Sequence, residues 1–171
     1  MDYSSIKELI DLATEHETSI PEIVISTEMA ETEKSRQVIE EKMKNSLQVM
    51  RDAVEKGRNN QERSESGLSG GDAHRLQQFD GFLGSDLYQQ VIVNALATAE
   101  INADMGKIVA GPTAGASGIV PAVILAVGEH LELEDEDIIK GLFTASGLGM
   151  VVAKKATLAG AAGGCQAECG V

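Results

Sequence analysis

The residues best placed by type and spacing to do chemistry are at the end of the chain, in Gly160-Ala161-Ala162-Gly163-Gly164-Cys165-Gln166-Ala167-Glu168-Cys169-Gly170-Val171. Cys165 and Cys169 are the protein's only cysteines, set among side chains so small that a bulky group can lie against the backbone. On a helix, positions i and i+4 face the same side. A disulfide between them would close almost no loop, and a reducing compartment keeps both as thiols. That leaves two readings, metal ligands or small buried apolar side chains. An iron–sulfur cluster takes three or four cysteine ligands, so this pair alone does not hold one. The abrupt stop at Val171, with no polar tail after Glu168, predicts that the chain is a fragment cut through its working part.

Two glycine-rich loops precede that stretch. Ser66-Gly67-Leu68-Ser69-Gly70-Gly71-Asp72 leads into a helix start, where unpaired N–H groups and the positive end of the helix dipole favour an anion. Its glycines let a ligand approach the backbone, and Ser66 and Ser69 add hydroxyls. Gly111-Pro112-Thr113-Ala114-Gly115-Ala116-Ser117-Gly118 has the same design, with hydroxyls at Thr113 and Ser117. Together the loops can hold two ends of a polar ligand. They can equally be connections between helices. His74 lies beside the first loop, and an imidazole with a pKa of about 6.5 can serve as base or donor near neutral pH. His16 and His130 lie in charged surface contexts, and Lys154 and Lys155 can supply a carboxylate contact or, as the plainer reading, solvate a helix C-terminus. The chain has no nucleophile elbow, no phosphate-cradling lysine motif and no zinc-type pair of cysteine pairs.

The elements that must position these groups are predicted to be helices throughout. Ser5 with Glu8 has capping-box spacing before the stripe Ile6, Leu9, Ile10, Ala13, and Ser19 with Glu22 repeats it, with Pro21 tolerated in the first turn. Ile39, Met43, Leu47, Met50 and Val54 mark a long amphipathic helix ending near Gly57. After the connector at 58–63, Asp72 is placed to cap a helix from Ala73. Ser85 is placed to cap the next, whose stripe is Leu87, Val91, Ala95, Leu96 and Ala99. Ile119 to Val127 is an apolar run too short for a bilayer and is read as a buried helix. The acidic stretch 129–137 is a solvated connector opening a helix from about Asp135. Along that helix Gly141, Ala145 and Gly149 would admit a closely packed neighbour.

Composition bounds the class. Hydrophobic residues are 43% of 171, but aromatics only 3% with no Trp, and there are 18 glycines. Such a core of Ala, Val, Ile, Leu and Met suits an all-α fold of closely approaching helices. Residues 1–60 form a helical arm. Residues 61–171, with few basic side chains and most of the glycines, form a glycine-rich portion of a catalytic domain, incomplete at its C-terminus. A net charge of −13 repels phosphate backbones and argues against nucleic acid. The sequence shows no secretory leader and no run of roughly 20 apolar residues, which predicts a cytoplasmic protein with no membrane span.

Taken in order, Ser66 to Ala73, Gly111 to Gly118 and Gly160 to Glu168 resemble the alpha chain of bacterial iron–sulfur L-serine dehydratases. The resemblance runs over essentially the whole chain but only the N-terminal part of that alpha chain. It implies an all-helical catalytic domain, a four-iron four-sulfur cluster on three cysteines, and a separate beta chain or domain in a homo- or hetero-oligomer. Cys165 matches the first cluster ligand; the other two would lie beyond this sequence, and Cys169 is not carried over. The fragment would therefore lack a complete cluster and lack activity. The resemblance assigns L-serine as substrate, with Ser66, Gly67, Ser69, Gly70 and Gly71, and Thr113, Ala114, Gly115 and Ser117, binding its carboxylate or lining its pocket. An open iron position would act as Lewis acid on the leaving hydroxyl while a base takes the alpha proton. His74 is the candidate base, or the beta chain supplies one. No lysine has a convincing pyridoxal phosphate context. The stretch after about Leu158 is expected to fray or borrow contacts. The alternative is a helical interaction domain without catalysis.

Overall fold

Every regular element among the described residues is helical, in agreement with the expected all-α class. The computed structural model describes residues 2–164, and Cys165, Cys169 and most of the stretch expected to fray lie outside them. The helices are α1 (Ile6–Glu15), α2 (Ile20–Thr32), α3 (Arg36–Asn59), α4 (Asp72–Gln77), α5 (Asp86–Ala103), α6 (Ile119–His130), α7 (Asp135–Lys155) and the single turn α8 (Gly160–Gly163). The chain divides into two units, Met1–Asn45 with Asp135–Val171 and Ser46–Glu134, and the division falls within α3.

In the first unit α2 packs on α7 and α1 packs on α2. The apolar stripe of α1 starts where Ser5 Oγ accepts the Glu8 N–H at 3.1 Å, as the capping spacing predicts. The Glu8 carboxylate bonds Ser4, at its N–H and its hydroxyl, and those bonds hold it below its ordinary pKa. At α2 the expected capping box does not form. Ser19 makes no side-chain cap bond, and the Glu22 carboxylate pairs with Arg36. Tyr3, Leu9, Ile23, Val24 and Leu142 are all buried in this unit.

Close packing of α7 falls on Gly147 rather than on Gly141 and Gly149. A β-carbon at Gly147 would stand 2.5 Å from Val24 Cγ2, whereas at Gly141 and Gly149 it would meet nothing within 4 Å among the described residues. The small-residue spacing misplaced the contact by its phase on the helix: Gly147 lies on the face of Phe143 and Val151, which α7 buries. Lys154 is also more than a solvated end. Its ammonium donates to Asp2 Oδ1 at 2.6 Å and to the Tyr3 carbonyl at 2.7 Å, tying the chain start to the last turn of α7.

The second unit is built around α5, which packs on both α4 and α6. Ala73, Val93 and Ala97 form a small buried cluster with Leu76 and Leu96 against it. The stripe expected for α5 is rotated. Val93, Asn94, Ala97, Thr98 and Glu100 are buried, and Ala99 is exposed. Apolar residues surround most of this helix, so periodicity alone does not select the buried side. The neighbours do. Gly118 at the head of α6 sits so close that a β-carbon there would lie 2.7 Å from the Ala95 carbonyl oxygen.

Candidate functional site

The first glycine loop is a turn folded on its own hydroxyls. The Ser64 N–H donates to the Ser69 carbonyl at 2.9 Å, while Ser64 Oγ lies 3.1 Å from both Ser66 Oγ and Ser69 Oγ. Ser64 is therefore the hub of the loop, and the motif that singled out Ser66 and Ser69 passed over it. Gly70 and Gly71 take left-handed backbone conformations, with φ of 103° and 78°, and Gly70 also lies against the Glu62 carbonyl, where a β-carbon would come to 2.4 Å. Ser66 and Gly67 are exposed, Ser69 is half-buried, and Gly70 and Gly71 are buried.

The anion held at the start of α4 is the protein's own. Glu100, on α5, accepts the Gly71 N–H at 3.2 Å through Oε2, and the Asp72 and Ala73 N–H groups at 2.6 and 3.2 Å through Oε1. The unpaired donors expected to attract a substrate carboxylate are thus occupied. The expected cap is also displaced. Gly71 holds the N-cap position with no side-chain cap, and Asp72 instead pairs with Arg75 and, at 3.6 Å, with Arg63. Sequence reasoning missed Glu100, although a signal was present: it is the lone charged side chain between Asp86 and Asp104 on an otherwise apolar and neutral helix.

The second loop closes on itself and on α5. The Gly111 N–H bonds the Thr113 carbonyl at 3.1 Å across a cis Gly111-Pro112 peptide, and Thr113 Oγ1 accepts the Ala116 N–H at 3.4 Å. Asn102 Nδ2 donates to the Ala114 carbonyl at 3.1 Å. Ala114 and Gly115 are exposed, Thr113 is half-buried, and Ser117 is 1% exposed, on the core side of the loop. The end of α5 thus holds both loops, the first through Glu100 and the second through Asn102.

His74 is engaged at both ring nitrogens. Nδ1 lies 2.9 Å from the Arg58 carbonyl, which can only accept, so the proton sits on Nδ1. Nε2 then accepts from Gln78 Nε2 at 3.0 Å. A base needs a free lone pair, so His74 can act as one only after Gln78 swings away.

Two grooves open in this unit. One of about 550 Å³ is lined by Asp52, Glu55, Lys56 and Asp104 among others, and one of about 410 Å³ by Arg51, Arg58, Glu129 and Asn94 among others. The Asn94 amide oxygen is buried without a hydrogen-bond partner among the described residues. Neither groove is lined by a residue of the two glycine loops. Among the described residues no group of three His, Cys, Asp or Glu side chains could hold a metal ion, and Cys165 lies outside them, so these residues do not by themselves make a cluster site.

Comparison with known proteins bears on the same stretch. A family model described as "Serine dehydratase alpha chain" matches residues 15–171. The chain is 43% identical over 171 residues to the "Probable L-serine dehydratase, alpha chain" of Bacillus subtilis (strain 168), covering 98% of this chain and 57% of that protein. It is 35% identical over 170 residues to the "L-serine dehydratase, alpha chain" of Peptoniphilus asaccharolyticus, covering 98% and 58%. Against the "L-serine dehydratase" of Helicobacter pylori (strain ATCC 700392 / 26695) the identity is 35% over 181 residues, covering 99% and 39%. The chain therefore spans less than two thirds of the length of each of these relatives.

Proposed function

Because the chain belongs to the serine dehydratase alpha chain family, we propose that it works as part of an L-serine dehydratase, a lyase converting L-serine to pyruvate and ammonia. The observation that carries this reading is the family match across residues 15–171. The geometry supports it in one respect: both glycine loops are anchored to the same end of α5. In the reaction the alpha proton leaves carbon, and the β-hydroxyl departs with a proton as water. The resulting aminoacrylate tautomerises to an imine, which takes up water and releases ammonia and pyruvate.

On this reading the serine lies against the loops. Ser66, Gly67 and Ser69 of one loop and Thr113, Ala114 and Gly115 of the other line its pocket, and the buried Gly70, Gly71 and Ser117 shape the loops behind it. Because Glu100 occupies the donors at the start of α4, the substrate carboxylate is taken by loop hydroxyls and other backbone groups. Holding carboxylate and ammonium fixes the alpha C–H toward the base and the hydroxyl toward its acceptor. The base is His74, released from Gln78, or a group of the beta chain. That beta chain is the proposed partner, in keeping with the alpha-chain names of the Bacillus and Peptoniphilus proteins.

A four-iron four-sulfur cluster with Cys165 as one ligand is the proposed cofactor, and when bound it would supply a Lewis acid for the departing hydroxyl. Such a cluster takes three or four cysteine ligands, more than the two cysteines of this sequence. The cytoplasm, where thiols stay reduced, is the proposed location. Among the described residues no helix is long and apolar enough to cross a membrane.

The deciding experiment is anaerobic iron and sulfide reconstitution of the full-length alpha chain with its beta chain. Visible cluster absorbance and serine-dependent pyruvate are expected. Absence of both from a folded, reconstituted complex would reject the reading.

A further inference from the structure

Glu100 is 6% exposed, and its two oxygens receive three consecutive backbone N–H groups, those of Gly71, Asp72 and Ala73. It continues the buried face of α5 that begins with Val93 and Ala97, about two turns and one turn earlier. Ala73, the last of its three partners, is itself 0% exposed and packs in the same cluster as Val93 and Ala97. Hydrogen bonds to an ionised carboxylate are stronger than those between neutral groups, and burial strengthens them further. Gly70 and Gly71, held in left-handed conformations, connect this clamp directly to the loop of Ser66 and Ser69. Two residues further along α5, the Asn102 amide holds the Ala114 carbonyl of the second loop at 3.1 Å.

We propose that Glu100 and Asn102 are positioning residues of the serine site: the last turns of α5 set the placement of the two loops relative to each other, and Glu100 is the dominant fastening. Neither residue needs to touch serine. The inference rests on the proposed dehydratase activity and deepens it, because it names what holds the two halves of the pocket in register. A carboxylate at this point receives all three N–H groups. An amide keeps one acceptor oxygen but turns an NH₂ group toward a backbone donor, and an alanine leaves all three donors unpaired.

The test uses the full-length alpha chain with its beta chain and cluster, comparing Glu100→Ala, Glu100→Gln and Asn102→Ala with the unaltered enzyme. Since a displacement of about 1 Å in a site can lower rates about 100-fold, Glu100→Ala is expected to lower kcat/KM for serine by about 10- to 100-fold. Visible cluster absorbance should be retained. Glu100→Gln should fall between the two, and Asn102→Ala should lose about threefold or more. Hydrogen exchange at Gly71, Asp72 and Ala73 should quicken in both Glu100 variants. If Glu100→Ala does not fold, Glu100→Gln decides. A kcat/KM within about twofold of the unaltered enzyme in the folded Glu100 variant overturns the inference. An unaltered, cluster-loaded enzyme that makes no pyruvate from serine instead overturns the dehydratase reading on which the inference stands.

Discussion

Gly57 of α3 lies directly against the backbone of Ala97 of α5: a β-carbon at residue 57 would stand 2.3 Å from the Ala97 carbonyl oxygen and 2.5 Å from its Cα. No side-chain rotation relieves that overlap, because the opposing atoms are main chain. Gly57→Ala gains roughly 1 kcal/mol of helix propensity but forces the two helices apart. Overpacking of this kind typically costs about 1–3 kcal/mol. A net loss of stability is expected, read as a lower midpoint in urea unfolding, and an unchanged or raised midpoint would show that the two helices do not meet at this point.

Gly141 and Gly149 of α7 make the opposite case. A β-carbon at either position meets no atom within 4 Å among the described residues, and neither has a positive φ. Alanine there should add stability, about 0.5–1 kcal/mol at each site, through helix propensity and a less flexible unfolded chain. Thermal unfolding of the single and double variants checks this. Destabilisation by both substitutions would mean that a further surface packs on this face of α7.

The pairing of Arg36 with Glu22 gives one contribution to stability a pH dependence. The guanidinium donates to both Glu22 oxygens, at 2.6 and 2.7 Å, and to Glu40 at 2.6 Å. The Arg36 bond holds the Glu22 carboxyl below its ordinary value of 4.5, opposed by slight burial. A depressed folded pKa adds stability that is present above pH 4.5 and is lost as the pH falls through the lower folded value. The pair is partly exposed, so its worth is below about 1 kcal/mol. Glu22→Gln should therefore be slightly less stable than the unaltered chain at pH 7, and the gap should close in acid. A gap of constant size from neutral to acid pH would count against the assignment.

Ser69 and Thr113 are the half-buried hydroxyls of the two loops, and both already stabilise their own loop, Ser69 through Ser64 and Thr113 through Ala116. In the complete enzyme, alanine at either should raise the serine KM or lower kcat by about 3- to 10-fold, the worth of one hydrogen bond. Steady-state kinetics with serine measures this, and unchanged constants remove that residue from the pocket.

Cys165→Ala in the complete enzyme should abolish the visible absorbance of the cluster, whereas Cys169→Ala should leave it in place. Anaerobic absorption spectra of the two reconstituted proteins distinguish these outcomes. A retained spectrum in the Cys165 variant removes the ligand assignment.

The sequence by itself determined the elements. Stripes and cap residues located α1, α3, α5, α6 and α7, because helix periodicity and the Ser5 and Ser85 caps are local properties that need no partner to be read. The ordered glycine motifs also indicated the family that the match over residues 15–171 shows. Only the tertiary structure decided how the candidate site is held. Which face of α5 is buried depends on the close approach of Gly57 and Gly118, and which glycine of α7 is packed depends on Val24. The partner of the α4 N-terminus is Glu100, separated from Asp72 by 28 residues. A local pattern carries no record of such pairings, since a buried carboxylate and unpaired backbone donors satisfy each other wherever folding brings them together, not where they lie in the chain.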